Sequence, residues 1–131
     1  MKRNLTALVI GNGDYNESDP LNNATNDAED MGERLRKYGF HVEKLINATL
    51  KEMNRALLNF KKRLDVNDVG LFFFAGHGMQ LDGENFLAAV DSEVAAAFAF
   101  KHSALSLNTV LSCMHEGKAV RWTPSVGQET G

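Results

Sequence analysis

A histidine held between two glycines is the residue of this chain best placed to do chemistry. Gly76-His77-Gly78 directly follows an apolar run from Val69 to Ala75. The run is rich in Phe and too short for a helix, so it predicts a buried strand. In parallel sheets, ligands and reacting groups gather beyond the carboxyl ends of the strands. His77 is therefore predicted to lie at the edge where an active site would form.

A cysteine–histidine pair for acyl transfer is one reaction centre that these residue types could build. A thiolate is a strong nucleophile once a neighbouring imidazole takes its proton. His77 offers the imidazole, and the backbone N–H of Gly78 could donate to an oxyanion, because glycine lets the scissile carbonyl approach closely. The one cysteine, Cys113, flanks the apolar stripe of a predicted helix. It is interpreted as a small core residue that does not reach His77.

Two alternative sites lie in the polar loop after the first predicted strand. Gly11 and Gly13 are spaced like the start of a dinucleotide-binding turn, but Asn16 stands at the third glycine position and the loop is long and acidic. Alternating oxygen groups could hold a hard cation, but their spacing fails the EF-hand pattern. These groups belong to Asp14, Asn16, Ser18 and Asp19. A solvated turn is the preferred interpretation.

A metal cluster is the third alternative, because zinc prefers nitrogen and sulfur ligands. The candidate ligands are His77, His102, Cys113 and His115. Their spacings match no standard zinc pattern, and Cys113 and His115 are two residues apart on a predicted helix, where side chains point in different directions. Neither a metal nor a cofactor is predicted.

Predicted strands and helices alternate along the chain. Strands are predicted at 5–10, 40–46, 69–75 and 86–90, with another beginning at 119–122, and amphipathic helices at 24–38, 49–64 and 107–117. Parallel strands need crossover connections, so this order predicts an α/β fold with a mostly parallel sheet flanked by helices. A chain of 131 residues is expected to form one domain.

Composition excludes several classes of protein. The net charge of −3 and the lack of a dense basic stripe argue against nucleic-acid binding. No apolar run approaches the roughly 20 residues that span a bilayer, so no membrane partner is expected. A single cysteine rules out an intrachain disulfide and fits a reducing compartment, which predicts a cytoplasmic location.

Five segments occur in a characteristic order along the chain. They are ALVIGN at 7–12, LNNATNDAEDM at 21–31, FFFAGHG at 72–78, NFLAAVD at 85–91 and SLNTVL at 106–111. This ordered set resembles the large-subunit (p20-like) region of caspase-like cysteine peptidases, closer to metacaspases, orthocaspases and paracaspases than to animal apoptotic caspases. The resemblance covers roughly residues 4 to 118 and implies a caspase-like three-layer sandwich.

The resemblance also implies a cysteine endopeptidase that acts on polypeptides. His77 would be the catalytic histidine, and Gly78 would contribute its backbone N–H to the oxyanion hole. Asp27 matches an acidic position that, in metacaspase-like members, receives an Arg or Lys side chain before the cleaved bond. A carboxylate pairs well with such a cation in a partly desolvated slot. The alternative role of Asp27 is helix support, because an acid is favourable in a first helical turn.

The chain departs from the family at the nucleophile. The family places its cysteine after the next strand, in a motif such as Asp-x-Cys, and the caspase signature puts the histidine about 50 residues upstream of it. That distance points near Gly127, but residues 118–127 contain no cysteine. Pro124 is also expected to interrupt a central strand. The sequence therefore predicts a caspase-like domain at 1–118, a divergent or loose tail at 119–131, and a sheet incomplete at its C-terminal side.

Two functions remain open at this stage. One is a caspase-like endopeptidase domain that is inactive alone; the other is a non-catalytic module that binds an active relative. An alternative ending, an altered reading frame and a truncated chain would each account for residues 119–131. An incomplete sheet exposes an unpaired edge, which predicts a homo-oligomer or a complex with a caspase-like partner.

Overall fold

A computed structural model describes residues 4–16, 20–21, 23–64, 69–117 and 120–124, with side chains as far as residue 114. The strands are β1 (Leu5–Gly11), β2 (His41–Ile46), β3 (Val69–Ala75), β4 (Gly78–Leu81), β5 (Glu84–Ala88), β6 (Ala104–Ser106) and β7 (Val120–Pro124). The helices are α1 (Ala24–Lys37), α2 (Leu50–Arg63), α3 (Ala97–His102) and α4 (Leu107–Gly117). Among the described helices, none is both long and apolar enough to cross a membrane.

The main sheet has four parallel strands in the order β2-β1-β3-β7. Alternate side chains of β3 enter two separate cores, because successive residues of a strand point to opposite faces. Phe72 and Phe74 pack with residues of α2 and α4, whereas Phe73 and Ala75 pack with residues of α1. The sheet therefore lies between two helical layers, and the predicted α/β fold class is confirmed.

Both long helices begin and end close to their predicted limits. At the start of α2, Thr49 and Glu52 form the reciprocal capping box that their spacing predicts. Met53, Leu57 and Phe60 of that helix are buried, as their helical spacing predicts. In α1, apolar residues at positions 24, 28, 31, 35 and 38 predict a single buried face that includes Tyr38. For Tyr38 this prediction is wrong. Tyr38 caps the C-terminus of the helix, and 77% of its surface is exposed.

Strand β7 is the parallel neighbour of β3 and forms an edge of the sheet among the described residues. The strand predicted to begin at 119–122 therefore exists. Pro124 is the last described residue of β7 and is the register partner of Phe74 on β3. Proline within sheets is found on edge strands because it cannot donate to the ladder.

A second, antiparallel sheet in the order β4-β5-β6 follows the main strand β3. Only a short extended segment at 86–90 was predicted here. A tight turn at Asp82-Gly83 joins β4 to β5, and both residues have positive φ, 53° and 78°. Asp-Gly is a strong hairpin signal because both turn positions require that conformation. The sequence therefore contains a local signal for this hairpin.

Candidate active site at the carboxyl edge of the sheet

The carboxyl edge of the parallel sheet is tied together by the buried amide of Asn12, which directly follows β1. Its Oδ1 accepts a hydrogen bond from the backbone N–H of Ala48 at 2.8 Å, and its Nδ2 donates to the carbonyl of Ala88 at 3.0 Å. Its own backbone N–H donates to the carbonyl of Ala75 at 2.9 Å. One residue thus joins three segments: its side chain joins the connection before α2 to the end of β5, and its backbone N–H bonds to the end of β3.

A second asparagine fixes the loop that follows Asn12. Asn47 has a positive φ of 56°, which asparagine tolerates better than most residues. Its Oδ1 accepts from the backbone N–H groups of Gly13 and Asp14, at 2.9 and 3.0 Å. Its backbone N–H donates to the carbonyl of Gly11. The start of the polar loop is therefore bonded to the protein, not only to solvent.

His77 lies just beyond the carboxyl end of β3, as predicted. Its backbone N–H donates to the hydroxyl of Tyr15 at 2.8 Å, and its carbonyl accepts from the N–H of Ala88 at 2.9 Å. The rings of Tyr15 and His77 lie 4.5 Å apart at a 35° tilt. Only 9% of His77 is exposed. The imidazole is therefore at the predicted edge of the sheet but is covered by Tyr15.

Gly76 makes the approach of Tyr15 possible. A Cβ atom at this position would lie 2.5 Å from the Tyr15 hydroxyl oxygen and 2.8 Å from Cζ of Phe74. Any larger residue would therefore displace the ring that holds the His77 backbone. The packing of Tyr15 and Phe74 therefore requires glycine at position 76, whether or not a substrate approaches it.

Gly78 opens β4 directly after His77 and pairs with Leu87. The neighbouring pair, His77 and Ala88, is joined by a ladder hydrogen bond. Hydrogen-bonded and non-hydrogen-bonded pairs alternate in antiparallel sheets, so the N–H of Gly78 points away from β5. Because β4 is an edge strand among the described residues, this N–H faces outward, as an oxyanion donor must.

The other two predicted site residues occupy different environments. Asp27 lies in the first turn of α1, near the carboxyl edge, but its side chain is exposed and not in a partly desolvated slot. Cys113 lies on α4, is half-buried, and packs against the core cluster that contains Phe72 and Phe74. That environment is the one expected for a small core residue.

The alternative sites gain no support from the geometry. A Cβ on Gly11 would lie 2.5 Å from Cβ of Ala28. Glycine at this position therefore allows helix α1 to pack closely, which explains the residue without a bound phosphate. Ser18 and Asp19 of the suggested cation loop lie outside the described residues, and so does the His115 side chain. Within the described part of the chain, no three His, Cys, Asp or Glu side chains are grouped to hold a metal ion.

Ionisation at this edge is perturbed at the start of α2. The backbone N–H of Thr49 donates to Glu52 at 2.9 Å and lowers the pKa of that carboxyl below its usual value, and the Thr49 hydroxyl acts in the same direction. A hydrogen bond to the ionised form of a carboxyl favours that form. Nearby, the Asp91 carboxylate accepts from the backbone N–H of Leu50 at 2.9 Å.

Sequence reasoning missed the residues that hold His77 in place. Asn12 was used only as part of a motif segment, and neither Tyr15 nor Asn47 was singled out. A buried polar residue directly after a core strand was a usable signal, because such a residue needs hydrogen-bond partners. Nothing in the sequence pairs Tyr15 with a residue 62 positions away.

The family model for the caspase domain matches residues 4–116. The chain belongs to the caspase domain family. Its caspase domain is 34% identical over 92 residues to human mucosa-associated lymphoid tissue lymphoma translocation protein 1, which covers 70% of this chain and 11% of the relative. It is 33% identical over 91 residues to zebrafish (Danio rerio) caspase b, which covers 67% of this chain and 22% of the relative.

The fold also recurs in a crystal structure of a protein from Geobacter sulfurreducens. The two structures superpose with a TM-score of 0.75 at 21% identity, over 98% of this chain and 52% of the other. At this identity the similarity concerns the fold alone. The caspase domain described here thus spans about half of that structure and less than a quarter of the length of either curated relative.

Proposed function

We propose that this caspase domain contributes the histidine half of a cysteine endopeptidase centre. The observation that carries the proposal is His77, fixed at the carboxyl end of β3 by Tyr15 and followed by an outward-facing N–H on Gly78. In the reaction, the imidazole takes the proton of a cysteine thiol, and the thiolate attacks the scissile carbonyl. The oxyanion accepts from Gly78, and the imidazole returns the proton to the leaving amine.

The nucleophile in this proposal is a cysteine that follows β7. Residues of β3 pair with residues of β7 at a constant offset, from Gly70 with Val120 to Phe74 with Pro124. This offset of 50 residues matches the spacing of about 50 between histidine and cysteine in the caspase signature. A residue that lies about 50 positions after His77 would therefore supply the thiol. Gly127, at that spacing, lies outside the described residues.

The chain of 131 residues by itself is proposed to be inactive, because its single thiol belongs to the Cys113 core position. The assay uses fluorogenic peptides with Arg or Lys before the cleaved bond. We expect no turnover above that of Cys113→Ser. Turnover that is lost in both Cys113→Ser and His77→Ala would instead identify Cys113 as the nucleophile.

A thiol supplied after β7 tests the histidine directly. Ser125→Cys, Val126→Cys and Gly127→Cys are made singly in the Cys113→Ser background and treated with an arginyl acyloxymethyl ketone, with labelling followed by mass spectrometry. We expect labelling of at least one variant to exceed that of the others by about tenfold and to fall on His77→Ala. Labelling that is equal at all three sites, or independent of His77, would contradict the proposed centre.

The proposed substrate is a polypeptide with a basic residue before the cut, and Asp27 is proposed to attract it. Asp27 is exposed near the same edge as His77. Its carboxylate would therefore strengthen substrate binding only when the bound substrate covers it. In the reactive cysteine variant, Asp27→Asn should slow labelling by the arginyl probe but not by a matched glutaminyl probe. Equal slowing of both probes would assign Asp27 to helix support.

The alternative function is a non-catalytic module that joins a second copy or an active relative. The edge position of β7 among the described strands favours it, since an edge strand offers unpaired N–H and carbonyl groups to another chain. Light scattering on the isolated chain should then show a dimer or larger species. A clean monomer at high concentration would contradict homo-oligomerisation. A cytoplasmic location stays a prediction, which imaging of the tagged chain would check.

A further inference from the structure

Strand β4 begins at Gly78, the proposed oxyanion donor, and is an edge strand among the described residues. Natural edge strands are often protected by charged residues or proline, because their backbone groups can pair with another chain. Of the described edge strands, β2 carries Glu43 and Lys44, whereas β4 has the sequence Gly-Met-Gln-Leu, with neither charge nor proline. An edge without these protections therefore starts at the candidate active site.

Two residues of β4 direct their backbone groups away from β5. The Ala88 N–H donates to the His77 carbonyl, which fixes the pairs of this hairpin that are hydrogen-bonded. Bonded and non-bonded pairs alternate, so Met79 is bonded across the hairpin, whereas Gly78 and Gln80 are not. The N–H and the carbonyl of Gly78 and of Gln80 therefore face outward, and they continue the line that begins at the proposed oxyanion donor.

The two faces of β4 meet different layers of the fold. On the His77 face, the paired residue Ala88 belongs to a core cluster against which Leu21 packs, and Leu21 also packs with residues of α1. On the opposite face, Leu87 is the register partner of Gly78 and packs in the cluster that contains residues of α2 and α4. A strand added beside β4 would likewise direct alternate side chains to the α1 layer and to the α2 layer.

The position of Asp27 on α1 selects the direction of such a strand. In a strand parallel to β4, the residue whose carbonyl accepts from Gly78 lies opposite His77, so its side chain points to the α1 layer. In an antiparallel strand, that residue lies opposite Gly78, and its side chain points to the α2 layer. The basic residue before the cut can approach Asp27 only in the parallel arrangement, which places the residues that follow the cut along β4.

We propose that β4 binds the part of the polypeptide substrate that follows the cleaved bond, as an added parallel strand. This inference rests on the proposed endopeptidase function. The second residue after the cut donates its N–H to the Gly78 carbonyl, and its own carbonyl accepts from the Gln80 N–H. The fourth residue donates to the Gln80 carbonyl. Main-chain bonds of this kind hold extended peptides at the edges of sheets.

Met79 gives the added strand a side-chain preference. The second residue after the cut lies opposite Met79, whose apolar side chain is 38% exposed. Facing side chains of neighbouring strands contact each other, so leucine at this position should bind about threefold more tightly than aspartate. Met79→Ala should reduce that ratio. An unchanged ratio in Met79→Ala would overturn the proposed contact.

Amide hydrogen exchange, followed by NMR on the chain of 131 residues, tests the binding without a reactive thiol. The probe is acetyl-Ala-Ala-Arg-Ala-Leu-Ala-Ala-amide, in which leucine is the second residue after the expected cut. We expect saturable slowing of exchange at Gly78 and Gln80, and no further slowing at Met79, whose N–H is already bonded to β5. Unchanged exchange at Gly78 and Gln80 would overturn the proposal.

N-methylated probes show which part of the peptide lies on β4. Methylation of the leucine nitrogen removes the donor to the Gly78 carbonyl and should weaken binding about tenfold. Methylation of the next alanine changes an N–H that faces away from β4 and should weaken binding less than about twofold. Equal losses would overturn the strand pairing. A larger loss on methylation of the arginine nitrogen would place the residues before the cut on β4 and overturn the parallel direction.

Variants at position 80 give the matched test on the protein. Proline is tolerated on an edge strand where its nitrogen faces outward, so Gln80→Pro removes the donor while the bonds to β5 are kept. Gln80→Ala retains the donor. We expect Gln80→Pro to weaken peptide binding about tenfold and Gln80→Ala less than about twofold, in variants that thermal unfolding shows to be folded. Equal affinities in the two variants would overturn the bond from Gln80.

This inference and the proposed endopeptidase centre can fail separately. Labelling of the cysteine variants requires a thiol and His77, whereas slowed amide exchange requires neither. Peptide binding to β4 without His77-dependent labelling would overturn the proposed centre and leave β4 as a peptide-binding edge. His77-dependent labelling without slowed exchange at Gly78 and Gln80 would overturn the added strand alone.

Discussion

The two edges of the parallel sheet differ in whether their buried polar groups have hydrogen-bond partners. At the carboxyl edge, the buried Asn12 amide and the His77 backbone bond to other parts of the protein. At the amino edge, the buried Thr6 hydroxyl has no hydrogen-bond partner among the described residues. The carboxyl edge therefore fixes the backbone of His77, whereas the amino edge leaves one buried polar group unsatisfied.

The first prediction breaks the carboxyl-edge network at its centre. Asn12→Ala leaves the buried N–H of Ala48 and carbonyl of Ala88 without their side-chain partner. Each unsatisfied buried group costs about 1–3 kcal/mol, so we expect a loss of about 3 kcal/mol in the free energy of unfolding. Urea unfolding measures it. A loss below about 1 kcal/mol would mean that water replaces the amide.

The second prediction compares two glycine-to-alanine changes. Gly76→Ala would press a methyl group against Tyr15 and Phe74, and such overpacking costs about 1–3 kcal/mol. In α1, the nearest atom to a Cβ on Gly32 is Cδ of Lys44 at an ordinary 3.5 Å. Gly32→Ala should therefore stabilise the chain by about 0.5–1 kcal/mol. Thermal unfolding should move in opposite directions for the two variants, and parallel shifts would refute the packing role of Gly76.

The third prediction concerns Tyr15, whose ring and hydroxyl have separable roles. Tyr15→Phe keeps the ring beside the imidazole but leaves the buried His77 N–H without its acceptor, at a cost of about 1–2 kcal/mol. Tyr15→Ala should cost more and should also speed modification of His77 by diethyl pyrocarbonate, because it uncovers the ring. If Tyr15→Phe exposes His77 as much as Tyr15→Ala does, ring stacking is not what covers the imidazole.

The fourth prediction turns to the amino edge. Thr6→Val replaces an unpartnered buried hydroxyl with a methyl group, so it should raise the free energy of unfolding by about 1 kcal/mol. The opposite sign from Asn12→Ala would sharpen the contrast between the two edges. Destabilisation by Thr6→Val in urea would show that the hydroxyl has a partner in the folded chain.

The smallest effect is expected from the capping box of α2. The pKa of Glu52 is lowered in the folded chain by the Thr49 backbone N–H. The interaction of Glu52 with Thr49 therefore stabilises the fold fully when the pH is above the ordinary carboxyl pKa. This stabilisation is lost as the pH falls through the lowered pKa that Glu52 has in the folded chain. Glu52→Gln should make the free energy of unfolding less dependent on pH in that acidic range. An unchanged acid limb would show that the exposed capping interaction is too weak to measure.

Local patterns were sufficient for the parallel core and for the position of His77. Strand β3 is apolar on both faces because it is covered on both faces, and that alone identifies a parallel sheet between helices. The capping box of α2 was equally predictable, since its two partners are three residues apart. The β4–β5 hairpin could also have been predicted from Asp82-Gly83. The covering of His77 could not, because it depends on Tyr15, 62 residues away.

The sequence by itself determined the order of the parallel strands and long helices, the family resemblance and the edge at which His77 lies. These depend on periodicity, on capping and on short motifs, all of which act over a few residues. Only the tertiary structure decided which side chains meet. Asn12 joins residues 36 and 76 positions away, and the His77 backbone bonds to Tyr15, 62 positions away. Such contacts follow from strand order and register, which bring distant segments together and leave no local signal in the chain.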